Sequence, residues 1–207
     1  TFDGVELTAM GAEIAGTGSV KPEAEGLPVT ARLHMEAEDL ARFAALAGMP
    51  LRGRITGTLE AEGALQAKRL EVALEAEGQD LATGIADLDR LIAGRLNLSA
   101  EARRTPERIE IADVALTTPQ LELSAHDDGA GGPVHVEARL ANLGLFLPEF
   151  SGALSAGGTV ALHGPEARRI VLALDATGPG GTTARVSGDV HDYGARLDLA
   201  ATGQLPL

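Results

Sequence analysis

The sequence predicts an all-β protein. The expected form is an elongated, curved, repetitive antiparallel or mixed sheet with a few short helices, in a single region spanning residues 1–207. Three observations lead there. The first is strict alternation, clearest in RITGTLEAEG (54–63), where Arg54, Thr56, Thr58, Glu60 and Glu62 are polar. Between them lie Ile55, Gly57, Leu59, Ala61 and Gly63, so one strand face suits water and the other does not. The second is regular punctuation of such segments by Gly, Pro and Asp. The third is composition: 44% of residues are hydrophobic but only 2% are aromatic, so aliphatic side chains must form any apolar surface.

About a dozen strands follow from the alternation. Val5–Ala9 and Ala12–Val20 open the chain, and Val29–Glu38 comes next. The pattern returns in Leu51–Glu62, Arg69–Glu77, Arg95–Arg103, Arg108–Leu116, Gln120–Ala125 and Val134–Leu140. It closes with Leu154–His163, Arg169–Thr177, Ala184–Val190 and Ala195–Thr202. Turns are expected at KPEAEGLP (21–28), DDGAGGP (127–133) and GPGG (178–181).

Three stretches break the alternation. In DLARFAALAG (39–48), Asp39 suits a helix N-cap and Gly48 a helix C-terminus. DLATGIADLDRLIAG (80–94) fits a short helix around Ile85–Ile92. NLGLFLPEFSG (142–152) is apolar, and Pro148 limits any helix there. Asp39-Leu40-Ala41 precedes Gly53-Arg54 by the same spacing as Asp80-Leu81-Ala82 precedes Gly94-Arg95, which points to a repeat of about 41 residues. Asn142-Leu143 before Gly157 is a third copy, displaced by an insertion.

The apolar positions define a candidate ligand surface. They include Leu33 and Met35, then Ile55 and Leu59, then Leu70, Val72 and Leu74. Leu96, Leu98 and Val136 continue the series, followed by Leu154, Val160, Leu172 and Leu174. Glycines recur on the same side: Gly16, Gly18, Gly53, Gly57, Gly158 and Gly188. Glycine inside a strand marks a bend or bulge, so the sheet is expected to fold into a trough. Twelve strands at ~4.8 Å spacing give a trough about 55–60 Å long. A flexible hydrocarbon fits aliphatic walls, at ~0.8 kcal/mol per buried methylene. A sealed β-sandwich or a β-solenoid is the alternative, and it would make the same residues an ordinary core.

Other functions find less support. The net charge of −13 disfavours nucleic acid and anionic membrane surfaces. Cysteine is absent, which excludes disulfides and thiolate chemistry. His34, His126, His135, His163 and His191 show neither HExxH nor H-x3-H spacing, so no metal site is expected. Glu60, Glu62, Glu75 and Glu77 alternate on a polar face rather than in a pocket that would tune acid–base chemistry. GAGG and GPGG lack the Lys-Ser/Thr of a phosphate loop, and no GxSxG is present. No catalytic set, metal or cofactor site is therefore expected, and the chain is not read as an enzyme. Arg52, Arg54, Arg95 and Arg185 fit cross-strand ion pairs better than contacts to lipid phosphate. No apolar run approaches 18 residues. The chain, opening in VELTAM and closing at GQLPL, reads as a fragment of a longer polypeptide.

In its β-repeats and in DLARFAALAGMPLRGRITGTLEAEG (39–63) followed by GQDLATGIADLDRLIAGRLNLSA (78–100), the sequence resembles the TamB family. These are the translocation and assembly module proteins of the AsmA-like superfamily. LELSAHDDG (121–129) and VSGDV (186–190) share the same texture. The resemblance covers most of the chain and rests on no catalytic motif. It implies a β-taco, a long curved sheet with a hydrophobic interior. It implies a periplasmic location in a Gram-negative bacterium, with the full-length protein anchored in the inner membrane. The implied partners are phospholipid acyl chains and an outer-membrane β-barrel of the TamA type. The implied role is phospholipid transport between membranes and support of outer-membrane protein assembly. A scaffold or chaperone that conducts no lipid is the alternative within the same architecture.

Overall fold

The computed structural model describes residues 2–9, 11–22, 26–107, 109–127, 132–163, 169–191 and 196–204. Thirteen strands carry most of them. They are β1 (Phe2–Ala9), β2 (Ala12–Val20), β3 (Pro28–Ala37), β4 (Arg52–Ala64), β5 (Arg69–Ala82), β6 (Arg95–Arg104) and β7 (Ile109–Thr117). They continue as β8 (Leu121–His126), β9 (Val134–Leu140), β10 (Leu154–His163), β11 (Arg169–Thr177), β12 (Thr183–His191) and β13 (Arg196–Gln204). All thirteen form one sheet in strict chain order, and every neighbouring pair is antiparallel. Among the described residues β1 and β13 do not pair with each other, so the sheet is open.

This topology settles two alternatives. A mixed sheet and a β-solenoid both need parallel neighbours, and here each connection returns the chain alongside the strand it left. A sandwich needs a second sheet, and the described strands make only one. The exposed surface agrees. A compact chain of 21.2 kDa is expected to expose about 9,100 Å². This one exposes 13197 Å², and among the described residues no large side chain is fully buried. A single layer cannot cover its own faces.

Register keeps the two faces apart across the whole sheet. Leu33 lies opposite Leu59, Leu59 opposite Leu74, and Leu74 opposite Ala100. The polar positions match in the same way, with Arg32 opposite Glu60 and Glu36 opposite Thr56. A slip of one residue would carry every apolar side chain to the wrong face, so the alternation itself fixes the pairing. Where one strand loses alternation, the ladder absorbs it. Ile111 and Val114 are three apart, and a register shift between Glu101 and Ala102 lets both stay on the apolar side. Gly53 works similarly at the start of β4. Its φ of 98° and that of Asp80 at 52° accompany a register shift between Arg52 and Arg54.

The three breaks in alternation all lie in connections at one end of the sheet. Leu40–Phe43 form a 3-10 turn that runs into helix α1 (Ala44–Ala47). The Asp39 carboxylate accepts from the Ala41 N–H at 3.0 Å, and Gly48 ends α1 at φ 68°. Helix α2 (Ala86–Leu91) lies within the expected 85–92. Pro148 follows only a short 3-10 turn, Leu143–Leu145, whose cap is Asn142. The middle repeat copy behaves differently from the outer two. Asp80 caps nothing, because β5 runs on to Ala82 and the Asp80 N–H instead donates to the Gly94 carbonyl at 2.8 Å. In KPEAEGLP and DDGAGGP, positions 23–25 and 128–131 lie outside the described residues.

These connections are stitched into a row. The buried Thr118 hydroxyl, between β7 and β8, donates to the Leu91 carbonyl at the end of α2 at 2.7 Å. It accepts from the Leu121 N–H at 2.9 Å. Arg90 of α2 reaches past that turn to the Leu145 carbonyl at 3.2 Å. Pro50 sits so close to Gly84 that a methyl group there would collide with its ring. The same end therefore carries Ala37, Leu96 and Leu140, three of the five buried apolar residues.

Candidate functional site: a continuous apolar sheet face

The structure brings all fourteen predicted lining residues onto one face. Leu33, Leu59 and Leu74 form one row across β3, β4 and β5. Met35, Gly57, Ala76 and Leu98 form the next, and Ile55, Gly78 and Leu96 the one beyond. Val72 lies opposite Ala61, and Leu70 opposite Gly63. The rows cross β7 and β8 through Leu116 and Leu123. Val136 then faces Gly158, and Gly158 faces Leu174. Val160 lies opposite Leu172, and Leu154 opposite Leu140. Leu116, Leu123, Val114, Ile14 and Val186 share the face, although the sequence reading did not single them out. The same alternation marks them.

Little in the described chain covers this face. Of the fourteen, only Leu96 is buried. Leu33 and Met35 are 39% and 38% exposed, and the remainder are half-buried. In a closed core these side chains would be inaccessible.

The close approaches on this face are asymmetric. A Cβ on Gly158 would strike the β11 backbone, 2.8 Å from Leu174 Cα. On Gly57 it would lie 3.0 Å from the Glu75 carbonyl, and on Gly18 2.9 Å from the Thr30 carbonyl. Gly157 points to the polar face in the same strand as Gly158, and its nearest neighbour would be 3.9 Å away. Neighbouring backbones thus crowd the apolar side where these glycines stand.

Three hollows lie on the opposite face. They measure about 610, 460 and 660 Å³ and are bounded by polar-face side chains such as Thr17, Arg32 and Glu60, Thr58 and Glu75, or Glu122 and Arg139. They are furrows between cross-strand rows of long polar side chains and do not mark an apolar trough.

The charged groups take the roles a solvated face gives them. Arg95 pairs with Glu77 at 2.8 Å and Arg185 with Asp175 at 2.7 Å. Arg54 donates to Gln79, and Arg32 pairs with Glu60 at 2.8 Å. These exposed pairs contribute little to stability. The Asp175 carboxylate, by hydrogen bond first and by charge second, raises the pKa of Arg185. Arg52 stands near Asp89, whose pKa its charge helps to lower. Among the described residues no group of three His, Asp or Glu can hold a metal. His34 lies 3.4 Å from the Thr58 hydroxyl, and the His126 and His135 rings stack at 5.5 Å. The side chains of His163 and His191, and residue Asp128, lie outside the described part.

Asp89 is tied into the architecture by three hydrogen bonds. Its Oδ1 accepts from the Thr83 N–H at 2.6 Å and the Thr83 hydroxyl at 2.9 Å, and Oδ2 accepts from the Gly84 N–H at 3.0 Å. The Thr83 amide chiefly, then its hydroxyl, Gly84 and Arg52, lower the pKa of Asp89 against an opposing desolvation. The carboxylate thus serves as a cap for α2, whose own cap residue, Ile85, has none to offer. A lowered acid pKa stabilises the fold above the ordinary carboxylate range, and that gain is lost as pH falls through the lowered value. Hydrogen exchange at Thr83 and Gly84 is therefore expected to speed up selectively in strong acid. In Asp89→Asn the acid-dependent increment disappears, and exchange is already faster at neutral pH.

Among the described residues no helix is long and apolar enough to cross a membrane. Comparison with known proteins finds no matching family model, no matching curated protein and no matching solved structure.

Proposed function

We propose that this chain carries phospholipid acyl chains on its apolar face, as a segment of a TamB-like periplasmic bridge between inner and outer membranes. The observation that carries this reading is the aliphatic face, which spans the sheet and is only partly covered by the described chain. An apolar surface of that extent is costly in water unless something occupies it. Thirteen strands at ~4.8 Å give it a length of about 58 Å along the sheet. The glycine contacts support a sheet that bends toward this face into a groove, because Gly18, Gly57 and Gly158 meet neighbouring backbone on the apolar side whereas Gly157 on the polar side does not. Acyl chains would then partition onto the face and diffuse along it, with no chemical step. Contact with a TamA-type barrel, and support of outer-membrane assembly, would come through the full-length protein.

A second reading has its own support. β1 and β13 each pair on one side only, so either edge can accept an extended strand from a client barrel protein. The deciding experiment is native mass spectrometry of the chain purified from a Gram-negative host. Co-purified phospholipid is expected. A lipid-free chain that gives no acyl-chain crosslinks from Leu59 or Leu98, yet binds unfolded barrel peptides, would replace the first reading with the second.

A further inference from the structure

We infer that the end of the sheet opposite the helical connections holds the phosphate of a bound amphiphile, through Arg104 with Lys68. This rests on the acyl-chain reading above and adds the position and chemistry of the headgroup.

Arg104 is the anomaly. Its ladder partners are Leu70 of β5 and Ile109 of β7, so it occupies an apolar-face position. Among the described ladder positions of that face, from β2 to β13, it is the one charged residue. It stands at the last residue of β6, where the face meets water, and it is exposed. Lys68 and Arg69 immediately precede its partner Leu70, and both are exposed. Lys68 lies in the turn between β4 and β5, whereas Arg69, opposite Ala64, opens β5 on the polar face.

The described cations divide into paired and unpaired ones. Arg32, Arg42, Arg90, Arg95, Arg103 and Arg185 each have an acidic partner. Arg104 and Lys68 have no ion pair among the described residues, a property they share with Lys21, Arg52, Arg54, Arg69 and Arg139, but of these Arg104 alone holds a ladder position among the apolar side chains. Their acidic neighbour Glu71 is already taken by Arg103 at 2.8 Å. In a chain of net charge −13, two unpaired cations at one rim of the apolar face are poised for an anion from outside. A guanidinium on a long stem can lie along apolar surface while its head forks onto phosphate oxygens. An acyl chain on the face would bring its phosphate to this rim, whereas at the other end the helical connections cover Ala37, Leu96 and Leu140. The ligand class is therefore a phosphate-bearing lipid with its head at the rim and its tail across the strands.

The test titrates the 207-residue chain with a fluorescent-chain lysophosphatidylglycerol and with a monoacylglycerol of the same chain. Inorganic phosphate serves as competitor. Lys68→Glu with Arg104→Glu is expected to weaken lysophosphatidylglycerol binding about tenfold or more and leave monoacylglycerol unchanged. Arg104→Lys should keep most of the affinity. Equal effects on both ligands, or none on either, would overturn the headgroup site while leaving the apolar groove in place. Displacement of the lysolipid by millimolar inorganic phosphate would reassign the cations to free phosphate. Failure of both amphiphiles to bind the wild-type chain would instead overturn the acyl-chain reading on which the site rests.

Discussion

Leu59→Arg is expected to abolish lipid loading while the sheet still forms. Leu59 sits mid-sheet, between Leu33 on β3 and Leu74 on β5, so any chain crossing the central strands must pass it. A guanidinium in a hydrocarbon environment costs about 2.5–3.5 kcal/mol, which corresponds to roughly a hundredfold or more in occupancy. Leu59 itself is only half-buried, so the folding cost should stay near 1–2 kcal/mol. Leu98→Arg, further along the same face, should act alike. The control is Thr58→Arg, one residue away but on the polar face opposite Glu75. It adds the same charge and should leave lipid recovery intact. Circular dichroism confirms the fold and mass spectrometry counts the lipid. Wild-type lipid content in folded Leu59→Arg would remove the apolar face from the mechanism.

Gly158→Val should be the most destabilising single change in the second half of the sheet. The Cβ that valine requires would fall against the Ala173 carbonyl and within 2.8 Å of Leu174 Cα, so β10 and β11 would have to part. Backbone cannot yield as a flexible side chain can, and a loss of about 3 kcal/mol or more is expected in urea unfolding. Gly157→Val, its neighbour, points to the roomier polar face and should cost less than ~1 kcal/mol. Similar losses for the two variants would show that the apolar side is no more crowded than the polar side. The bent-groove proposal would then lose its main support.

Much of the architecture was legible in the sequence because a period of two carries so much information. Strict alternation placed the strands within a few residues, and it placed Leu33, Leu59, Leu98 and Leu174 on a shared face before any pairing was known. The end signals read correctly where they were local. Asp39 caps its turn and Gly48 ends its helix, since both depend only on neighbouring residues. Local alternation ends β5 too early, at Glu77, because it gives no sign of the bulge opposite Gly53 that lets the strand run on to Ala82.

What alternation by itself determined was two faces per strand and their chemistry. It left open whether a second layer sealed the apolar one, because a sandwich and a single sheet share the same period. Only the tertiary structure decided that every strand pairs with its sequence neighbour, that the sheet stays open and that no second sheet follows among the described residues. It also decided which cations are paired. Arg103 finds Glu71 directly across the ladder, but Arg104 finds Leu70 and Ile109. The physical reason is that pairing is non-local. Which residue stands across from another depends on hairpin length and bulges summed along the chain, and no window of sequence contains that sum.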